Sequence, residues 1–275
     1  MTRRLVFAEA RQAEGLAVFL GRLLRYDRGA AVRLRVAPGA AAPGAGGGAG
    51  GAALAVFGHA PALEVIVVRT ALLTAASAEE LDETVSAGEL AEAIDAAAHA
   101  GADTGAESGA DTGADTGAGQ PVGSGSGSPP VRREFRESAV ALPQPVSGPG
   151  WAGLLPPRGG WKPVAGLPRP EELHVAVAAG VAEFKARVEA LPEEKRTRTE
   201  VDRIGGDIWS RTLADTPLPL RAAHAARVFG LLPPTADTAE PALLAAGNWL
   251  RLRTPYGSVA LRRQGGLGRL GVTPV

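Results

Sequence analysis

Apolar positions recur along this chain with two periods, and the change from one to the other marks out its elements. In EGLAVFLGRLLRYD (residues 14–27), Leu16, Phe19, Leu20, Leu23 and Leu24 fall three or four residues apart, which predicts an amphipathic helix. AAVRLRV (30–36) then alternates strictly, with Val32, Leu34 and Val36 on one face and Arg33 and Arg35 on the other, the pattern of a half-buried strand. ALAVFG (53–58) and LEVIVVRTALL (63–73) are rich in Val and Ile and read as further strands, with His59 in a turn before Pro61. Ser86 and Glu89 have capping-box spacing and open a helix through Leu90 and Ile94.

The helical period dominates the second half. PEELHVAVAAGVAEFKARVEALP (170–192) starts with Pro170 in the first turn and Glu171 and Glu172 at the positive end of the dipole. Its seam is Leu173, Val177, Val181, Phe184, Val188 and Leu191. Thr197 and Glu200 form a second capping box, before a helix through Val201, Ile204 and Ile208. LPLRAAHAARVFGLL (218–232) is a third helix, stopped by Pro233 and Pro234. NWLRLRTPYGSVALRR (248–263) returns to alternation around Pro255-Tyr256-Gly257 and predicts a β-hairpin.

Between the halves lies GADTGAESGADTGADTGAG (101–119), four copies of Gly-Ala-acid-hydroxyl. Calcium-binding β-helix repeats have a nine-residue period with stacking apolar positions; this period is four and its apolar residue is Ala. Such a composition cannot bury enough surface to offset its ordering entropy, so residues 100–130 read as a flexible linker. The glycine run at 38–53 lacks the lysine of a phosphate loop and reads as an expanded hairpin connection. The expected fold is α+β. A small module of helix plus antiparallel sheet (1–99) is followed by the linker (100–130) and a three-helix module ending in a β-hairpin (131–275).

Composition sharpens this picture. Aromatic residues make up only 4% of the chain, so alanine carries much of the 45% apolar content and close helix contacts through Ala and Gly are expected. Cysteine is absent, which excludes disulfides, thiolate metal sites and a Cys nucleophile. The N-terminal apolar stretch is broken by Glu9 and Arg11, and the most apolar region, 52–76, contains His59, Pro61, Glu64 and Arg69; neither reads as a leader or a spanning helix. A cytoplasmic location with no membrane partner is the expectation.

The net charge is zero, but its distribution is uneven: residues 1–36 carry eight Arg, 79–117 carry eleven acids and no Lys or Arg, and 248–275 carry five Arg and no acid. The alternating segments AAVRLRV and WLRLRT share one device, apolar residues interleaved with Arg. An isolated hairpin is marginally stable, so the C-terminal one needs helices beneath it or a neighbouring sheet. If it joined the N-terminal sheet, Arg33, Arg35, Arg251 and Arg253, with Trp249 and Arg262 on the same outer face, would line a polyanion-binding surface. The alternative is that the acidic stretch around Glu79, Glu80, Asp82 and Glu83 covers that surface.

FLGRLLRYDRGAAVRLRV, LLPPRGGWKPV, IWSR, LPLRAAHAARVFGLL and WLRLRTPYGSVALRR together resemble an uncharacterised family of GC-rich, actinobacterial-type hypothetical proteins. The resemblance spans both halves and implies no activity, cofactor or site residue.

Candidate chemistry is sparse. No two histidines have metal-ligand spacing, and His224, between Leu220 and Val228, reads as a hydrogen-bonded residue of the buried stripe. Glu200 and Asp207 both reach Arg203 at helical spacing, the pattern of a solvated face, and Asp202 lies among them. No catalytic motif, cofactor fingerprint or metal site is found. WAGLLPPRGGWKPVAGLP (151–168) holds Trp151 and Trp161 around Pro-Pro-Arg-Gly-Gly; it reads as an aromatic staple over an alanine-rich helical core, with a peptide-binding groove as the alternative. The expected function is a non-enzymatic interaction or regulatory protein with an unknown protein partner. The first alternative is a nucleic-acid-binding protein using the basic hairpin, and the second is an enzyme of unassigned class.

Overall fold

The structure, a computed structural model, describes residues 3–36, 52–77, 79–106, 139–232 and 240–263. The glycine run at 38–53 lies mostly outside these residues, and so does the linker beyond Ala106. Its elements in chain order are β1 (Arg4–Val6), α1 (Ala10–Tyr26), β2 (Ala31–Val36), β3 (Ala52–Ala60), β4 (Val65–Leu73), β5 (Leu81–Ser86) and α2 (Ala87–Ala106). After the linker come β6 (Ala139–Ala141), β7 (Lys162–Val164), α3 (Pro170–Glu189), α4 (Arg198–Trp209), α5 (Leu220–Val228), β8 (Ala242–Ala246), β9 (Trp249–Thr254) and β10 (Gly257–Arg262). The α+β class is the one the periodicity predicts.

Eight strands form one antiparallel sheet in the order β5-β2-β3-β4-β10-β9-β8-β7, and β1 pairs with β6 in a separate ribbon. The C-terminal hairpin does join the N-terminal sheet. It does so through β4 and β10, where Val67 faces Val259 and Ile66 faces Ala260. Each half repeats one plan. A helix precedes a three-stranded meander, α1 before β2-β3-β4 and α5 before β8-β9-β10, and a fourth strand flanks the meander's first, β5 beside β2 and β7 beside β8.

The predicted alternation sets the two faces. Val32, Leu34, Val36, Leu54, Val56, Val67, Leu250, Leu252, Val259 and Leu261 point to the helix side and are buried. There α1 lies against β3 and β4, α2 against β2 and β5, and α5 against β4, β9 and β10, while α3 and α4 pack on α5. One apolar core runs through both halves, with Phe19 of α1 and Phe229 at the end of α5 6.0 Å apart by ring centroid. Small residues allow the close approach that composition implied: Ala222, Ala223, Ala225 and Ala226 of α5 are fully buried. A Cβ on Gly180 of α3 would stand 2.8 Å from Leu220.

Of the two predicted capping boxes the hydroxyl half forms: Thr197 Oγ1 accepts from Glu200 N (3.4 Å), and Ser86 Oγ accepts from Glu89 N (3.4 Å). Two local readings change. His59 is in strand β3, because the turn starts only at Pro61, the first residue of a 3₁₀ turn through Leu63. Helix α2 continues to Ala106, into the first residues assigned to the linker. Among the described residues no helix is long and apolar enough to cross a membrane.

A candidate recognition face beneath a strap

The face of the sheet away from the helices is roofed by residues 142–161. This strap starts at the β5 edge, where Pro145 bridges to Val85 and Val146 N donates to Thr84 O (2.8 Å). A 3₁₀ turn, Gly150–Gly153, brings the Ala152 carbonyl over β2, where Arg33 Nη1 donates to it. Trp151 stacks on His59 of β3 at 5.7 Å between ring centroids and 22° between planes. Farther on, Trp161 Nε1 donates to Pro157 O (3.0 Å), and the Arg251 guanidinium lies 5.7 Å from the Trp161 ring centroid. The chain then becomes β7, at the opposite edge. Ile66, Val68, Ser258, Ala260 and Leu244, all on this face, are buried yet stand apart from the main core. The tryptophans thus staple the loop onto a sheet face, not onto the helical core that the sequence suggested, and both rings remain half-buried.

Near the start of the strap the roof leaves a cavity of about 420 Å³. Trp151, Val146 and Pro149 give it apolar walls, and Asp27, His59, Ser86 and Ser147 give it polar ones. Asp27 Oδ1 accepts from Gly29 N (2.9 Å), which fixes the carboxylate at the α1–β2 turn. Burial pushes the His59 imidazole below its ordinary pKa, against a smaller opposing effect of Asp27. The shift favours the neutral ring, in which one nitrogen donates and the other accepts.

The sequence-predicted basic residues separate into two groups. Arg33 and Arg35 lie on the strap side of β2, and β5 brings Asp82 between them: Arg33 Nε donates to Oδ1 (2.6 Å) and Arg35 Nε to Oδ2 (3.0 Å). The Arg33 hydrogen bond is the main cause that holds the Asp82 carboxyl down at about 2, helped by Arg35 against partial burial. Strands β3, β4 and β10 stand between these arginines and the hairpin group on β9. There Arg251 is half-buried and donates to Ser258 Oγ (2.9 Å) and Arg253 is exposed, while Arg262 at the end of β10 lies 5.9 Å from the ring centroid of Trp249 on β9. The four arginines therefore do not form one continuous surface.

His224 stacks on Trp209 at 4.4 Å, and its buried Nδ1 has no hydrogen-bond partner among the described residues. It is not the hydrogen-bonded residue expected of the buried stripe. Glu200 and Asp207 both meet Arg203 along α4, as their spacing implied. Among the described residues no group of three or more His, Asp or Glu could hold a metal ion. Sequence reasoning did not find the cavity, because Asp27, His59, Ser86 and Ser147 belong to four segments with no shared motif. The one local signal was Trp151 in an otherwise aromatic-poor chain.

No curated relative and no solved structure matches the chain. Residues 1–113, which carry the half-sheet β5-β2-β3-β4, match a domain of unknown function (DUF8010), and residues 156–266, which carry β10-β9-β8-β7, match a second one (DUF8185). The two matched segments meet within the sheet at the β4–β10 pair.

Proposed function

We propose that the protein is a cytoplasmic, non-enzymatic interaction or regulatory protein that recognises its partner at the cavity under the strap. The observation that carries this reading is the stacked His59–Trp151 wall. It stands beside Val146 and Pro149 and opposite a short set of polar groups, a mixed concave lining suited to a planar group of a partner. The test compares tagged full-length protein with Trp151→Ala and His59→Ala in capture from the host. A partner held by the wild type and lost by both variants, with melting temperatures within a few degrees, supports the reading. Equal capture by all three overturns it.

A second reading, nucleic-acid binding by the hairpin, is favoured by the exposed Arg253, on the same face of the hairpin as the Arg262–Trp249 pair. Arg253→Gln with Arg262→Gln should then abolish a salt-sensitive affinity for single-stranded nucleic acid. Undetectable binding by the wild type at low salt removes this reading.

A further inference from the structure

The seam between the halves holds a second, different feature on the helix side of the sheet. Arg69 projects from β4 toward α1, and its guanidinium reaches Gly15, where a Cβ would come within 2.6 Å of Nη2. Its Nη1 donates to the carbonyl of Tyr256 in the β9–β10 turn (3.1 Å). Two helical turns beyond Gly15, on the same face of α1, Arg22 lays its guanidinium over Gly230. Gly230 has φ +68° and ends α5 in a Schellman motif, with Leu231 N bonded to Ala226 O (2.7 Å) and Gly230 N to Arg227 O (3.1 Å). Each half thus contributes to the cluster: α1 and β4 from the first, the end of α5 and the hairpin turn from the second.

These two guanidinium groups lack the carboxylate that most half-buried arginines of the described residues meet, as does Arg251 on the other face of the sheet. The half-buried Arg33 and Arg35 meet Asp82, Arg187 meets Glu183 and Asp207, and Arg221 meets Glu64. Arg22 and Arg69, also half-buried, meet no carboxylate among the described residues. Burial, and then the like charge of Arg22, push Arg69 below its ordinary pKa, while the Tyr256 phenol acts in the opposite direction. Two partly desolvated like charges at a seam repel, and that repulsion is unfavourable unless an anion lies between them.

We propose that Arg22 and Arg69, flanked by Tyr256, form an anion site at the β4–β10 seam that takes a phosphate group. The planar guanidinium forks suit tetrahedral oxyanions, and the backbones of Gly15 and Gly230 leave both forks in place. An occupant bridges the two halves, so its binding tightens their association.

The test uses the full-length protein with inorganic phosphate, and with glycerol 3-phosphate as a phosphomonoester, against chloride at matched ionic strength. Wild type should show saturable binding by calorimetry and a melting temperature that rises with phosphate. Arg22→Gln and Arg69→Gln should each lose at least tenfold in affinity, whereas Arg198→Gln, exposed at the start of α4, retains it. In phosphate-free buffer the two variants should melt no lower than wild type, because each removes a repelling charge. Labelling of wild-type arginines with phenylglyoxal, mapped by mass spectrometry, needs no variant. Phosphate should slow modification of Arg22 and Arg69 severalfold and leave Arg198 unchanged. Comparable affinity for both ligands identifies the free anion as occupant; tenfold tighter binding of the ester identifies a phosphorylated small molecule. Absence of a saturable phosphate response, or equal labelling of Arg22 and Arg69 with and without phosphate, overturns the proposal.

Discussion

At the scale of the residue, charge neutralisation explains why a chain with an arginine-studded strand does not present it as a basic surface. Asp82 serves Arg33 and Arg35 together, and its carboxyl, normally near 3.8, titrates at about 2. A folded pKa below the unfolded one means stability that is present above about pH 4 and fades as pH falls toward 2. Asp82→Asn should cost about 1 kcal/mol at neutral pH, the full shift being discounted for the carboxylate's partial exposure to solvent. It should also flatten the acid limb of a denaturation profile; an unchanged limb contradicts the pairing. His224 follows the same sign at a higher pH. Burial, reinforced by Arg227, depresses its pKa, so the neutral ring belongs to the fold and protonation opposes it. Melting temperature should fall as pH drops below about 6.5, and His224→Phe, which keeps the stack on Trp209, should remove part of that fall. A wild-type melting temperature constant from pH 7 to 5 would sink this account. The buried apolar residues were legible from period alone; the partners of the charged ones were not, because Asp82 is 49 and 47 positions from the arginines it serves.

At the scale of the element, what could be read from the chain followed length and periodicity. Helices α1, α3, α4 and α5 and strands β2, β3, β4, β9 and β10 all carry several apolar residues in register with their period. Strands β1, β6 and β7 span three residues each, too few to show any period, and β7 contains Pro163. In β5, Leu81 and Val85 alternate around Glu83, so the strand is hidden in an acidic stretch, and Glu83 is held by Arg3 (2.8 Å). The strap was legible as an unusual aromatic-proline segment, but not which surface it covers. That difference changes the expected effect of Trp161→Ala. A ring sunk in the core would cost roughly 3–5 kcal/mol on truncation. The half-buried Trp161, with one hydrogen bond and one guanidinium contact, should cost about 1–2 kcal/mol. A loss above that range would place the ring in a tighter contact than the strap provides.

At the scale of the whole molecule, two helix-plus-meander halves share a core through β4, β10 and the Phe19–Phe229 contact, and the β1–β6 ribbon ties the N-terminus to the segment that enters the strap. A protease site inserted between Gly113 and Arg133 should therefore yield two fragments that still co-elute after cutting, with melting lowered by only a few degrees. Separation of the fragments in native buffer would contradict a shared core. The strap has one further consequence, which concerns self-association. An open sheet ends in two rows of unpaired backbone groups, each a template on which another chain can polymerise. Here one segment closes both: it leans on β5 through Pro145 and Val146, and it ends as β7, three residues long with a proline that has no N–H to offer. Edge-to-edge growth of the sheet is thus disfavoured at both margins, by cover at β5 and by the short, proline-bearing β7.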